Sequence, residues 1–170
     1  AGTTPPTPPD RPAAEAPEST PSLAAGELDS LAGRIKAWGS ELGFQQVGIT
    51  DTHLADHEHR LERWLHDGFH GEMDYMARHG LRRSRPEALV PGTVRVTSVR
   101  MDYLIAAARP AGELLEEPDK ALISRYALGR DYHKVLRKRL QKLASRIEHA
   151  IGPFGYRVFV DSAPVLEKAL

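Results

Sequence analysis

Apolar residues recur at intervals of three and four along three stretches of the chain, which is the spacing of a helix with one apolar face. The stretches cover residues 28–42, about 54–67 and 132–151. A glycine follows each stretch, and glycine is the residue that most often ends a helix. The pattern therefore predicts three amphipathic helices, and the third is the longest.

Short runs that are rich in β-branched and aromatic residues predict strands between and after these helices. They cover residues 44–50, 94–104 and 156–161. Ser162 fits the N-cap of a further helix, with Pro164 inside its first turn. Because helices alternate with strands, we predict an α/β or α+β layered domain.

The remaining segments carry the residues that interrupt regular structure. Glycines and prolines punctuate residues 70–92 and 106–119, which predicts an irregular stretch and a mobile loop. Residues 1–26 hold seven of the 13 prolines and too few apolar side chains to offset the entropy of ordering. We therefore expect a disordered tail over residues 1–26 and one domain over residues 27–170.

Composition narrows the classes of function. The chain has 23 basic and 23 acidic side chains, a balance that does not by itself indicate a nucleic-acid-binding protein. It has no cysteine, which excludes disulfides, a cysteine nucleophile and an iron–sulfur cluster held by this stretch. No run approaches the roughly 18 apolar residues of a membrane span, and the N-terminal pattern is not that of a secretory signal. We expect a cytoplasmic monomer with no membrane partner.

Asp161 is the first candidate for chemistry. It stands between the third predicted strand and the helix predicted after it, where layered sheets often carry catalytic side chains. Partial burial would let a carboxyl group there hold a proton near neutral pH. The alternative is an aspartate that caps the helix or is simply solvated.

Two polar segments are candidates for binding anions. Residues 124–133 place hydroxyls, two guanidinium groups, a carboxylate and an imidazole around Gly129, which suits a phosphate-bearing ligand. A polar loop that caps the long helix explains them equally well. The basic loop 82–86 and the basic residues of 134–146 could contact RNA phosphates or form a solvated surface.

A cluster of histidines raises the alternative of a zinc protein. Six histidines lie at positions 53, 57, 59, 66, 70 and 79. His53 and His57 could form half of a metal site if their segment were helical. However, His70-Gly71-Glu72 does not match the H-E-x-x-H pattern, so solvated surface histidines are favoured. Metal analysis of the purified chain would separate the two alternatives.

Four segments in order give a more specific signal. They are Gly43-Phe44-Gln45-Gln46-Val47-Gly48-Ile49-Thr50, His70-Gly71-Glu72-Met73-Asp74-Tyr75-Met76-Ala77-Arg78-His79, Ser124-Arg125-Tyr126-Ala127-Leu128-Gly129-Arg130-Asp131-Tyr132-His133-Lys134 and Val160-Asp161-Ser162-Ala163-Pro164-Val165-Leu166-Glu167. Together they resemble the N-terminal part of the epoxyqueuosine reductase family. The resemblance covers about residues 29–170 and leaves out only the proline-rich tail.

The resemblance implies a fold, an activity and three site residues. The fold is a nitroreductase-like, cobalamin-binding sheet with flanking helices, and the reaction removes the epoxide oxygen from epoxyqueuosine at the tRNA wobble position. Asp161 matches the aspartate that donates a proton to the departing oxygen and also lies near the cofactor. Arg83 and Ser124 match positions that contact cobalamin.

The resemblance also implies partners that this stretch does not supply. In that family a ferredoxin-like domain with two [4Fe–4S] clusters and a helical-repeat domain that helps to bind tRNA follow the cobalamin-binding part. This chain has no cysteine, so we expect no metal ligand within it and the cluster cysteines beyond Leu170. We therefore expect a fragment that is inactive alone and that needs an electron donor. The alternative is a noncatalytic tRNA- or cobalamin-binding module.

Overall fold

A computed structural model describes residues 24–104 and 108–170. The predicted tail lies outside the described residues over 1–23, and so does the beginning of the predicted loop 106–119. The first helix, α1, covers Ala25–Glu41, so the last residues assigned to the tail form its start. Its first turn is capped by the Glu27 carboxylate, which accepts a hydrogen bond of 2.8 Å from the backbone N–H of Ala24.

The sheet described consists of two antiparallel strands. Strand β1 covers Gln46–Thr50 and strand β2 covers Val96–Arg100, and they pair from Gln46 opposite Arg100 to Thr50 opposite Val96. Gly43 has a φ of 83°, a left-handed conformation that favours glycine, and it turns the chain from α1 into β1. Helix and strand thus form one local unit, as the sequence predicted.

The core lies between α1, the sheet and the longest helix. Helix α6 covers Tyr132–Ile151 and buries Leu143 and Ala144 on its inner face. Ile35 of α1 and Phe44, just before β1, are buried as well. The apolar spacing therefore predicted both helices and the faces that they bury.

The other helices are short, apart from α2. Their bounds are α2 Ala55–His66, α3 Tyr75–Arg78, α4 Pro86–Leu89 and α5 Ala111–Leu115, with 3-10 turns at Gly80–Arg83 and Arg125–Ala127. No helix in the described part of the chain is long and apolar enough to cross a membrane. The mixed helix-and-sheet class predicted from the sequence is confirmed.

Two predicted elements near the C-terminal end are wrong. Residues 156–161 form no strand: the described sheet consists of β1 and β2, and this segment pairs with neither of them. No helix begins at Ser162 either: the backbone N–H of Leu166 donates to the carbonyl of Arg83 at 3.1 Å instead of closing a helical turn. A single turn at residues 167–169 is the local structure there, and Leu170 follows it half-buried.

Candidate functional site

An open cleft of about 870 Å³ lies between α2 and the segment 161–169. Its walls combine apolar side chains with a few charged ones. They are His57, Arg60, Leu61, Trp64, Met76, Asp161, Ala163, Val165, Leu166, Glu167, Lys168 and Ala169. Most of one wall is therefore a segment without regular secondary structure, which must be held in place by contacts from elsewhere.

Asp161 lies on this wall in an uncommon backbone conformation. Its φ is 56°, and it is the one non-glycine residue with positive φ in the described part of the chain. Aspartate tolerates this left-handed region better than most residues because its short polar side chain can form local hydrogen bonds. The Asp161 side chain is 54% exposed. The structure therefore buries this carboxyl group less than the sequence analysis considered.

Two residues at the start of α6 contact the Asp161 carboxylate. The hydroxyl of Tyr132 donates a hydrogen bond to Oδ2 of Asp161. Nε2 of His133 lies 3.6 Å from the same oxygen. The hydrogen bond to Asp161 is the main cause that raises the pKa of Tyr132 to about 12, because ionising the phenol would place a second negative charge beside the carboxylate.

Asp131 extends this group on the far side of the histidine. Its Oδ1 lies 3.0 Å from Nδ1 of His133 and accepts a second hydrogen bond, also 3.0 Å, from the backbone N–H of His133. The second contact is the N-cap of α6, as the alternative interpretation of this polar segment predicted. The side-chain hydrogen bond from His133 is the main cause that lowers the pKa of Asp131. We call Asp131, Tyr132, His133 and Asp161 the Asp161 cluster.

Ring contacts connect the Asp161 cluster to the loop that Ser124 opens. The rings of Tyr132 and His133 stack with their centroids 4.0 Å apart. Tyr126, in the 3-10 turn that follows Ser124, packs edge-on against Tyr132 at 5.8 Å. The structure therefore brings the neighbourhood of Ser124 to Asp161, although Ser124 itself is not among the residues that line the cleft.

Arg83 lies behind the cleft wall and not in it. It is 8% exposed, and its guanidinium donates from Nη2 to the carbonyl of Tyr75 at 2.9 Å and from Nε to that of Met76 at 3.1 Å. Its own carbonyl accepts the hydrogen bond from Leu166. Arg83 thus ties α3 to the segment that carries Asp161, and its predicted contact with cobalamin stays a prediction.

Glu58 of α2 holds the basic loop 82–86, a role that sequence reasoning missed. Its carboxylate accepts hydrogen bonds from Arg85, at 3.0 Å from Nε and 2.8 Å from Nη2, and from the hydroxyl of Ser84 at 2.6 Å. Arg85 is the main cause that lowers the pKa of Glu58 to about 2. The basic loop 82–86 is therefore fastened to α2 by an internal carboxylate, so Arg85 does not present the free cation that an anion site needs.

Two of the histidines that raised the zinc alternative pair with carboxylates at the surface. His66 lies 3.1 Å from Asp67, and His59 lies 3.7 Å from Glu62, both as exposed surface pairs. Over residues 24–104 and 108–170, no three histidine or carboxylate side chains converge as a metal site would require.

A cluster of hydrogen-bonded acid and base groups on the wall of a ligand-sized cleft is an arrangement that can move a proton to or from a bound molecule. Comparisons with known proteins show what the chain is similar to. Residues 83–162 match the family model described as epoxyqueuosine reductase QueG, DUF1730. This region includes Arg83, Ser124 and the whole Asp161 cluster.

Curated relatives extend the match over most of the chain. An epoxyqueuosine reductase from Pseudomonas aeruginosa is 66% identical over 140 residues, which are 82% of this chain and 38% of that protein. One from Escherichia coli is 57% identical over 144 residues, or 85% of this chain and 38% of that protein. The matches confirm that this chain is related to the epoxyqueuosine reductases, and that it spans about 38% of these relatives' length.

A solved structure agrees at the level of the fold. The structure of epoxyqueuosine reductase from Streptococcus thermophilus superposes with a TM-score of 0.59 at 22% sequence identity. The match covers 79% of this chain and 36% of that one. This likeness shows that the helix-and-sheet arrangement is shared.

Proposed function

We propose that this chain forms the cofactor- and substrate-binding part of an epoxyqueuosine reductase, which reductively removes the epoxide oxygen from epoxyqueuosine in tRNA. The observation that carries the proposal is the 66% identity to a protein of that name over 82% of the chain. The Asp161 cluster supports it, because an acid beside a ligand-sized cleft is what opening an epoxide requires.

The cleft suits the cobalamin that the family resemblance implies, and we propose a nitroreductase-like, cobalamin-binding fold on this ground. Its volume of about 870 Å³ and the apolar side chains of Leu61 and Trp64 fit part of a large flat macrocycle. Arg60 and Lys168 line the same cleft and offer cations to the polar groups at such a ring's edge.

Asp161, Arg83 and Ser124 are the residues that we propose for holding this group. When bound, cobalamin supplies the reducing cobalt centre, a chemistry that belongs to the cofactor. Asp161 lines the cleft directly, whereas Arg83 fixes the wall through α3 and Leu166. Ser124 opens the turn whose Tyr126 packs on the cluster.

Asp161 is the residue that we propose as the proton donor. Opening an epoxide leaves negative charge on the oxygen, and a carboxylic acid at hydrogen-bond distance neutralises it by transferring its proton as the carbon–oxygen bond breaks. The positive φ of Asp161 projects the side chain from a bend where Tyr132 and His133 also reach it. The chain's own contribution is therefore to position one acid and its hydrogen-bond partners.

The remaining parts of the reaction are assigned outside this stretch. The chain has no cysteine, so the two [4Fe–4S] clusters that the resemblance implies would be held by other residues, and their expected place beyond Leu170 stays a prediction. The matched relatives are more than twice as long as the chain. We propose that those further regions supply electron transfer from the electron donor and most of the tRNA contacts.

The test of this function is Asp161→Asn in the enzyme that contains this chain. Asparagine keeps the volume and tolerates the left-handed backbone but cannot donate an acidic proton. We expect turnover of epoxyqueuosine-tRNA to fall roughly 10²–10⁴-fold, the usual contribution of a general acid. Asp119→Asn, on an exposed turn away from the cleft, is the matched control and should stay at the wild-type rate. A variant at Asp161 with near-wild-type turnover would remove this residue from the mechanism.

A second measurement separates the proposed enzyme from a noncatalytic binding module. Cob(II)alamin titrated into the same protein should change its visible spectrum on binding, in the wild type and in Asp161→Asn alike. Binding of cobalamin and tRNA without any turnover would favour the module. No spectral change with the intact enzyme would contradict the cobalamin assignment.

A further inference from the structure

His133 occupies a position that the proton donor alone does not explain. Its imidazole lies between two carboxylates, with Nδ1 3.0 Å from Oδ1 of Asp131 and Nε2 3.6 Å from Oδ2 of Asp161. Its ring is stacked on Tyr132, which limits how it can turn. The His133 side chain is 51% exposed, so it also has access to solvent protons.

The contact with Asp131 decides which nitrogen faces Asp161. A carboxylate can only accept hydrogen bonds, so Nδ1 carries the hydrogen that Asp131 accepts. Nε2 is then the nitrogen that gains and loses the second proton, and it is the one that points to Asp161. At 3.6 Å this pair is longer than a direct hydrogen bond, which is common before substrate closes a site.

We infer that His133, oriented by Asp131, is a positioning residue that delivers the proton to Asp161 between turnovers. This inference rests on the proposed function. The proton leaves Nε2 of the imidazolium, binds Oδ2 of Asp161, and passes from there to the oxygen of the opening epoxide. His133 then takes a new proton from solvent, so each turnover consumes one proton and no electrons at these residues.

The other neighbour of Asp161 is a poorer source of this proton. Tyr132 already donates to Oδ2, and its pKa of about 12 means that the phenol holds its proton through the neutral range. Tyr132 therefore stabilises the carboxylate that remains after the proton has left. His133 is the group in the Asp161 cluster that has both a ring nitrogen facing Asp161 and access to solvent.

The test compares three variants by the pH dependence of turnover. His133→Gln keeps a polar side chain but removes the exchangeable proton, and we expect turnover at neutral pH to fall roughly 10- to 100-fold. The pH profile of turnover in this variant should differ from that of the wild type. His133→Ala should regain part of its rate with added imidazole. His66→Gln, an exposed histidine that also lies 3.1 Å from a carboxylate, is the matched control and should keep the wild-type profile.

A fourth variant is the control that separates a slower proton transfer from a loss of folded protein. Asp131→Asn keeps a good N-cap for α6, because asparagine caps helices as well as aspartate does, but it weakens the preference for hydrogen on Nδ1. We expect it to slow turnover in the same direction as His133→Gln, with an unchanged melting temperature. The groups that face His133 are Asp131, Asp161 and Tyr132, and Lys134 lies 4.0 Å from Asp131.

The outcomes separate this inference from the function on which it rests. A wild-type enzyme without turnover would overturn both. A wild-type enzyme that is active and depends on Asp161, together with His133→Gln and Asp131→Asn variants that keep the wild-type rate and pH profile, would overturn the role of His133 alone. A loss of rate that added imidazole does not restore in a His133→Ala variant as well folded as the wild type would also overturn it.

Discussion

Replacing Asp161 by asparagine should lower the pKa of Tyr132 from about 12 towards its ordinary value of 10. The hydrogen bond to Asp161 is the largest cause of the high pKa of Tyr132, about 12 against an ordinary value of 10. An amide can still accept the hydroxyl but carries no charge, so the pKa should fall most of the way back. A fall of two pKa units would correspond to about a hundredfold increase in the acid dissociation constant of the phenol.

The assay follows the ultraviolet absorbance of tyrosinate as pH is raised. The chain has five tyrosines, so the difference between it and the Tyr132→Phe variant isolates one group. Asp131→Asn is the control, because Asp131 is the weakest of the causes that act on Tyr132, and it should move the midpoint far less. A wild-type midpoint near 10 would mean that the contact between Tyr132 and Asp161 does not exist in solution. A midpoint that stays near 12 in Asp161→Asn would mean that Asp161 is not what raises the pKa of Tyr132.

The remaining predictions concern stability. Gly39→Ala should lower the free energy of unfolding by about 1–3 kcal/mol, since a Cβ there would lie 2.3 Å from Cγ2 of Val47, a side chain with little rotational freedom. Gly33→Ala, on the same helix with open space around it, should raise that free energy by up to about 1 kcal/mol; equal effects in urea unfolding would contradict this packing. The lowered pKa of Glu58 stabilises the fold above about pH 4.5, a contribution that is lost as pH falls towards about 2. Glu58→Gln should therefore flatten the acid side of the melting-temperature profile, and an unchanged acid side would be evidence against the bond to Arg85.

The helices could be predicted from the sequence because the apolar residues of each buried face recur at intervals of three and four along the chain. The structure has all three predicted helices, with ends that differ by at most three residues. They were predicted over 28–42, about 54–67 and 132–151, and they cover Ala25–Glu41, Ala55–His66 and Tyr132–Ile151. The two strands that pair were also predicted, but each is shorter than predicted and covers only the five residues that have a partner in the other strand. The third strand, predicted over residues 156–161, does not form, and the reason lies outside the local sequence. Strand propensity needs a neighbour to pair with, and the sequence does not say where that neighbour lies.

The Asp161 cluster was only half predictable. Asp131, Tyr132 and His133 were visible as a polar motif at the start of a helix, and Asp161 was visible separately as a candidate acid. Tyr132 lies 29 positions before Asp161, and no spacing rule connects residues across that distance. Arg83 shows the reverse error: a basic loop suggested an exposed cation, but the backbone carbonyls of α3 bind the guanidinium and bury it.

The contacts that hold Asp161 explain how its carboxylate keeps a fixed position although the segment around it has no regular secondary structure. A strand would fix this segment through a ladder of backbone hydrogen bonds, but the segment has none. Buried Val160 anchors it on one side of Asp161, and the bond from Leu166 to the Arg83 carbonyl anchors it on the other. Tyr132 then fixes the carboxylate itself. Because these anchors come from separate parts of the chain, Asp161 keeps its place only when the whole domain is folded, and the exposed carboxylate remains open to the cleft.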